Sequence, residues 1–131
     1  MNSEYLDCLH DGRPLFPPAG EARWWVLGDG ILDACQLRRV EDKIREKHMQ
    51  SADWIARQKR TVERALAALE REASGIGQGP VTIGHISVGC ALGYLDLRFL
   101  KDDWRTTHPA LAAWYADFAQ RPSMAATAPG G

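Results

Sequence analysis

This sequence lacks an excess of either charge: sixteen Lys and Arg stand against seventeen Asp and Glu, a net charge of −1. A surface so balanced offers no electrostatic case for nucleic acid or an anionic membrane as partner. Cysteine is scarce as well. Cys8, Cys35 and Cys90 are too few and too scattered for a disulfide framework, and they read as reduced thiols in a cytoplasmic protein. Met1 to His10 lacks the basic-then-apolar layout of a signal peptide. His10, His48, His85 and His108 have no Cys or carboxylate at metal-ligand spacing, so no metal site is expected. The Gly-rich stretch Gly75 to Pro80 has no Gly-Lys-Ser/Thr after it and no strand pattern before it, which excludes a phosphate-cradling loop. No long segment alternates apolar and polar residues, the mark of a strand; every periodic segment repeats at three to four residues.

What remains is helix. A chain of 131 residues is one domain by length, and 45% hydrophobic residues are ample for one core. Between Val81 and Leu95 there is no Asp, Glu, Lys or Arg. A helix apolar on every side must be wrapped by other helices, and this one falls short of the roughly 20 apolar residues a bilayer requires. It is predicted to be the buried central helix of an all-α bundle of about five helices. Thr82 stands where that helix begins, its hydroxyl able to accept from an unpaired first-turn N–H. Asp96 and Arg98 mark the return to solvent.

A first long helix is predicted from about Gly20 to Lys47, with Trp24, Leu27, Ile31 and Ala34 on one stripe and Leu37, Val40 and Ile44 turned inward on a shifted face. Gly28 and Gly30 flank Asp29 in mid-helix, each costing ~1 kcal/mol against Ala. Either the helix packs closely there, or a ligand or neighbouring subunit has room beside Asp29, Ile31 and Asp33. The run Arg38 to His48 reads as a solvated outer end, with Glu41 and Arg45 spaced as a surface pair. Ser51 caps a second helix reaching about Ala73, antiparallel to the first, with Ile55, Val62, Leu66, Leu69 and Ala73 as its buried stripe. Leu100 to His108 reads as a charged loop. Pro109 then opens a helix with Leu111, Trp114, Tyr115 and Phe118 on its inner face. Arg121-Pro122 ends it, and Ser123 to Thr127 adds one turn. Cys90, on the buried helix, is expected to be inert. Cys35, on the first helix, is the one thiol worth testing.

The central stretch and the residues behind it resemble the C-terminal all-helical domain of the glutathione S-transferase family. There a central helix opens with Thr or Ser, then two residues, then usually Asp, and ends near Tyr-Leu-Asp. Thr82, Gly93, Tyr94, Leu95 and Asp96 match, followed in order by Asp103-Trp104-Arg105, His108-Pro109-Ala110-Leu111, Trp114-Tyr115 and Arg121-Pro122-Ser123. His85 stands where the family has its capping Asp. It is expected to be neutral at pH 7, because the helix dipole disfavours a proton there. His85→Asp should be neutral or stabilising if the site is accessible.

The resemblance covers roughly residues 20–129 and implies the rest of the organisation. Residues 1–19, with Tyr5-Leu6-Asp7 and Leu15-Phe16-Pro17-Pro18, would be a remnant of the last helix of a thioredoxin-like domain plus linker, and residues 20–131 the helical domain. In the family the first helix lines the substrate cleft and the dimer interface. Leu27, Gly30, Ile31 and Ala34 are therefore the substrate-pocket candidates, and Asp29 and Asp33 the candidates for intersubunit or ligand contact. Thr82 and His85 are the candidate structural cap. No residue here is a catalytic candidate. The thioredoxin-like domain, which this chain would lack, supplies the groups that hold glutathione and activate its thiol. No cofactor is thus expected in this chain, with glutathione implied for the full-length protein. The function implied is a hydrophobic pocket for a small electrophile, together with homodimer contacts, for glutathione conjugation; the chain alone would be inactive. The alternative is a stand-alone, non-catalytic helical interaction module with the same fold.

Overall fold

A computed structural model describes residues 3–16 and 22–129. Helices over Ser3–Asp7 (α1), Arg23–Arg39 (α2), Ala52–Ile76 (α3), Ile83–Arg98 (α4), Trp104–Thr107 (α5), Pro109–Phe118 (α6) and Pro122–Ala126 (α7) form an all-α bundle, with no strand among the described residues. Pro17, Pro18 and Gly20, which the sequence reading placed in the linker and at the start of the first helix, lie outside the described residues.

α4 is the buried helix that its lack of charge requires. Val88, Ala91, Leu92 and Leu95 are sealed from solvent, and they share one core with Ile31 and Cys35 of α2, Leu66 and Leu69 of α3, and Leu111 of α6. Burying each large side chain in that core stabilises the fold by about 1.5–3 kcal/mol. α2 and α4 approach until their backbones nearly touch. A Cβ on Gly28 would overlap the Ser87 hydroxyl and lie 2.7 Å from the Ser87 carbonyl carbon and 2.8 Å from the Val88 nitrogen. α3 runs antiparallel to α2, since the Trp24 indole at the start of α2 donates to Glu72 near the end of α3 (2.9 Å), while Glu41 beyond α2 accepts from the Ser51 N–H ahead of α3 (2.7 Å).

The helix ends are closed by named partners. The Ser51 hydroxyl accepts from the Trp54 N–H (3.2 Å), as its position before an amphipathic run predicts. Pro109 occupies the first position of α6, and the Glu70 carboxylate reaches across from α3 to take the Ala110 and Leu111 N–H groups at 3.0 and 2.8 Å. An anion at that end also meets the positive pole of the helix.

Three expectations are corrected. Leu37, Val40 and Ile44 face solvent rather than the core. The inner face of α2 runs through Ile31, Ala34, Cys35 and Arg38, and at about 3.6 residues per turn Leu37 lies roughly a third of a turn away from it. Beyond Arg39 the chain makes a π turn over Val40–Ile44, which brings Glu41 inward. Arg38 and Glu41 are therefore buried, not a solvated end. Arg38 pairs with Asp102 and lies over the Phe99 ring, 4.1 Å from its centre, while Glu41 holds Arg45 at 2.9 Å. Finally, the stretch read as a charged loop contains α5, where the indole of buried Trp104 donates to Asp96 (2.9 Å).

Candidate functional site

The N-terminal segment folds against the start of α4 and the N-terminal half of α2. Asp7 turns it back, accepting the Leu15 N–H (2.9 Å) and the Phe16 N–H (3.0 Å). The Leu15 and Phe16 N–H groups hold its carboxyl below the usual carboxylate range. The Leu15 carbonyl then accepts the Ile83 N–H at 2.8 Å, closing one of the unpaired donors of the central helix. Phe16 meets Trp25 edge to face, with ring centres 5.2 Å apart. At the start of α2 a shallow cleft is lined by Ala22, Arg23, Val26 and Leu27.

Leu27 is half-buried in that cleft. Gly30 lies further along, and a Cβ built on it meets nothing within 4 Å, so the space beside it is open. Ile31 and Ala34 point the other way, sealed in the core, so they reach no pocket at the surface of this chain. Asp29 is exposed and accepts from the Ser87 hydroxyl at 2.7 Å, which ties it to α4. Asp33 is exposed and has no hydrogen bond or ion pair among the described residues. The two readings of the glycine pair thus divide: Gly28 is a close helix contact, and Gly30 borders open space.

The start of α4 is held by a reciprocal arrangement in which an imidazole takes the place of a carboxylate. His85 Nδ1 accepts the Thr82 N–H at 3.0 Å and lies 3.0 Å from the Thr82 hydroxyl, while the His85 N–H donates to the Thr82 carbonyl at 3.1 Å. Accepting at Nδ1 places the proton on Nε2, which donates to the Ile76 carbonyl at the end of α3 (3.0 Å). The ring is 4% exposed and meets Trp24 edge to face at 5.2 Å, with Phe118 stacked at 6.5 Å. Burial pushes its pKa below 6.5, against the Ile76 hydrogen bond that pulls it up and with the help of the Arg121 charge. His85 is therefore neutral at pH 7.

The two helix thiols differ from expectation in their burial, and the pKa of each is raised. Cys35 is fully buried, and burial drives its thiol up to about 11, far from a nucleophilic thiolate. Cys90 reaches the surface of the central helix, although partial burial raises its pKa too. No group of three His, Cys, Asp or Glu that could hold a metal occurs among the described residues, and none of their helices is long and apolar enough to cross a membrane.

Sequence reasoning missed Asp7, Phe16, Ser87 and Glu70. Ser87 and Glu70 act on elements distant in sequence, and Asp7 and Phe16 on residues beyond their own turn or helix.

Comparison with known proteins bears on the whole chain. The family model described as glutathione S-transferase, C-terminal domain, matches residues 52–117. An uncharacterized GST-like protein of Escherichia coli K12, YibF, is 32% identical over 106 residues, which are 79% of this chain and 52% of that protein. A glutathione transferase family member from Pseudomonas fluorescens Pf-5, solved with bound S-(propanoic acid)-glutathione, is 45% identical, with a TM-score of 0.87 over 97% of this chain and 68% of that one. A glutathione S-transferase from Methylobacterium radiotolerans, in complex with glutathione sulfonate, is 36% identical with a TM-score of 0.84, over 98% of this chain and 64% of that one. The chain thus spans about half the length of the curated relative and about two thirds of the solved ones.

Proposed function

This chain belongs to the glutathione S-transferase family as a C-terminal helical domain, and from that premise we propose that it supplies the wall against which a small hydrophobic electrophile rests during glutathione conjugation. The observation that carries this reading is the relative bound to S-(propanoic acid)-glutathione, a glutathione substituted at sulfur, with which this chain shares 45% identity along 97% of its own length. Leu27 and the open side of Gly30, next to the Phe16–Trp25 pair, form the electrophile wall on this chain. Asp29 and Asp33 border it.

The reaction is attack of the glutathione thiolate on an electrophilic carbon, forming a C–S bond as the leaving group departs with its electron pair. The thiol must lose its proton, which needs a hydrogen-bond donor or a positive field beside sulfur. On this wall Asp29 and Asp33 have the wrong sign for that task, and Arg23, the cation that lines the cleft, is held by Glu72 at 2.7 Å. Thiol activation and the grip on glutathione therefore belong to a thioredoxin-like domain ahead of the helical one. Exposed Leu37 of α2, with Val40 and Ile44 of the π turn beyond it, is the surface we assign to a second copy of the chain in a homodimer. The setting is the cytoplasm.

Titration of the chain with meta-dinitrobenzene, an electrophile-shaped molecule without a leaving group, tests the wall. The Leu27 and Gly30 amide resonances are expected to move together and saturably. If they stay fixed while signals elsewhere move, the wall is misplaced.

A further inference from the structure

At the far end of α2 from Leu27, a cleft of about 410 Å³ opens between α2, α3, the end of α4 and α5. Its apolar lining is Val62, Leu66, Leu95 and Trp104, and its polar lining includes Arg38, Lys59, Glu63 and Asp102. Arg38 is 7% exposed. Its terminal nitrogens are taken by Asp102, but its Nε–H has no partner, the one such buried side-chain nitrogen or oxygen among the described residues. A buried donor left unpaired costs free energy that an acceptor would recover. Lys59 Nζ stands 3.9 Å from Asp102 Oδ1, a loose pair that leaves donors free. Glu63 makes no hydrogen bond or ion pair among the described residues.

We propose that this cleft binds a small zwitterion with an apolar side group, of the chemical class of an aliphatic α-amino acid. Arg38 and Asp102 neutralise each other; in the rest of the lining the Arg38 Nε–H and the Lys59 ammonium offer donors and the Glu63 carboxylate an acceptor, with the His108 ring beside them. A free carboxylate alone would meet Glu63, and a free amine alone would meet Lys59; a molecule carrying both satisfies each. Its carboxylate accepts from Arg38 Nε–H and Lys59, its ammonium donates to Glu63, and its side group lies over Val62, Leu66, Leu95 and Trp104. The cleft is far larger than the one probe sphere, roughly 10–15 Å³, that a single water needs. It lies apart from the Leu27–Gly30 wall, so its failure would leave the proposed function standing.

The test is a titration of the chain with L-leucine, following the Arg38 Nε–H and Trp104 indole N–H resonances. Saturable shifts of both are expected. Isocaproate, which lacks the amine, and isoamylamine, which lacks the carboxylate, should each bind about tenfold more weakly or worse. Lys59→Gln and Glu63→Gln, both at exposed positions that leave the core intact, should each weaken leucine binding about tenfold. The proposal is overturned if leucine moves neither resonance, so that the cleft holds water only. It is equally overturned if isocaproate binds as tightly as leucine, or if neither variant alters leucine affinity.

Discussion

His85→Asp is expected to destabilise the chain by about 2–4 kcal/mol, more than the ~1 kcal/mol expected for Thr82→Ala. The sequence reading foresaw a neutral or stabilising change, on condition that the site is accessible. At 4% exposure it is not. Aspartate can restore the bond to the Thr82 N–H, but it is too short to reach the Ile76 carbonyl and leaves that acceptor unpaired. It also brings a carboxylate among the Trp24 and Phe118 rings. Urea melts of the two variants decide this, and a smaller loss for His85→Asp than for Thr82→Ala would contradict it. The same residue sets a pH dependence. Above pH 6.5 His85 is neutral in both folded and unfolded chains and makes no difference. Below 6.5 the unfolded chain binds a proton that the folded site resists, so stability falls as pH drops, down to the depressed folded value. In His85→Asn that part of the slope should vanish.

Gly28→Ala and Gly30→Ala should change stability in opposite directions. At Gly28 the new Cβ would press on Ser87 and on the backbone of Val88 at 2.8 Å, and neither can swing aside. Overpacking of this kind costs about 1–3 kcal/mol or more, and here rigid backbone on both helices places it at the upper end. The helix-propensity gain of about 1 kcal/mol returns part of it, for a net loss of about 2 kcal/mol. At Gly30 nothing opposes the added methyl, so the propensity gain stands alone, at about 0.5–1 kcal/mol of added stability. Thermal unfolding of both variants under one buffer checks the contrast. Equal losses at the two positions would mean that the space beside Gly30 is closed.

These two sites show what one chain discloses about itself. The absence of charge from Val81 to Leu95 was enough to place α4 in the middle, because no helix apolar all round has another place to go. The spacing in α6 and the Ser51 cap were equally legible, since both are local. The course of α2 past Ala34 was not. Its inward face continues through Arg38 and Glu41, two charges that a pattern of apolar residues reads as solvent-facing. They are buried only because Asp102, Phe99, Arg45 and the Ser51 N–H receive them from elsewhere in the chain. The site suffered in the same way. Leu27 is half-buried, at the edge of the core, while Ile31 and Ala34 further along the same stripe are sealed within it. A stripe at three-to-four spacing marks a face, but not where along that face the neighbours end. Cys35 and Cys90 exchanged their expected settings for the same reason.

In the proposed function this chain holds the electrophile wall while the thiol is activated on another domain. The most direct test is the rate at which the purified chain, alone, conjugates glutathione to chlorodinitrobenzene. The expected rate is that of the uncatalysed reaction at every glutathione concentration, because Cys35 is sealed with its thiol pushed up to about 11, and Arg23, the cation at the wall, is already paired with Glu72. Saturable turnover above that background, lost on unfolding the chain, would contradict it.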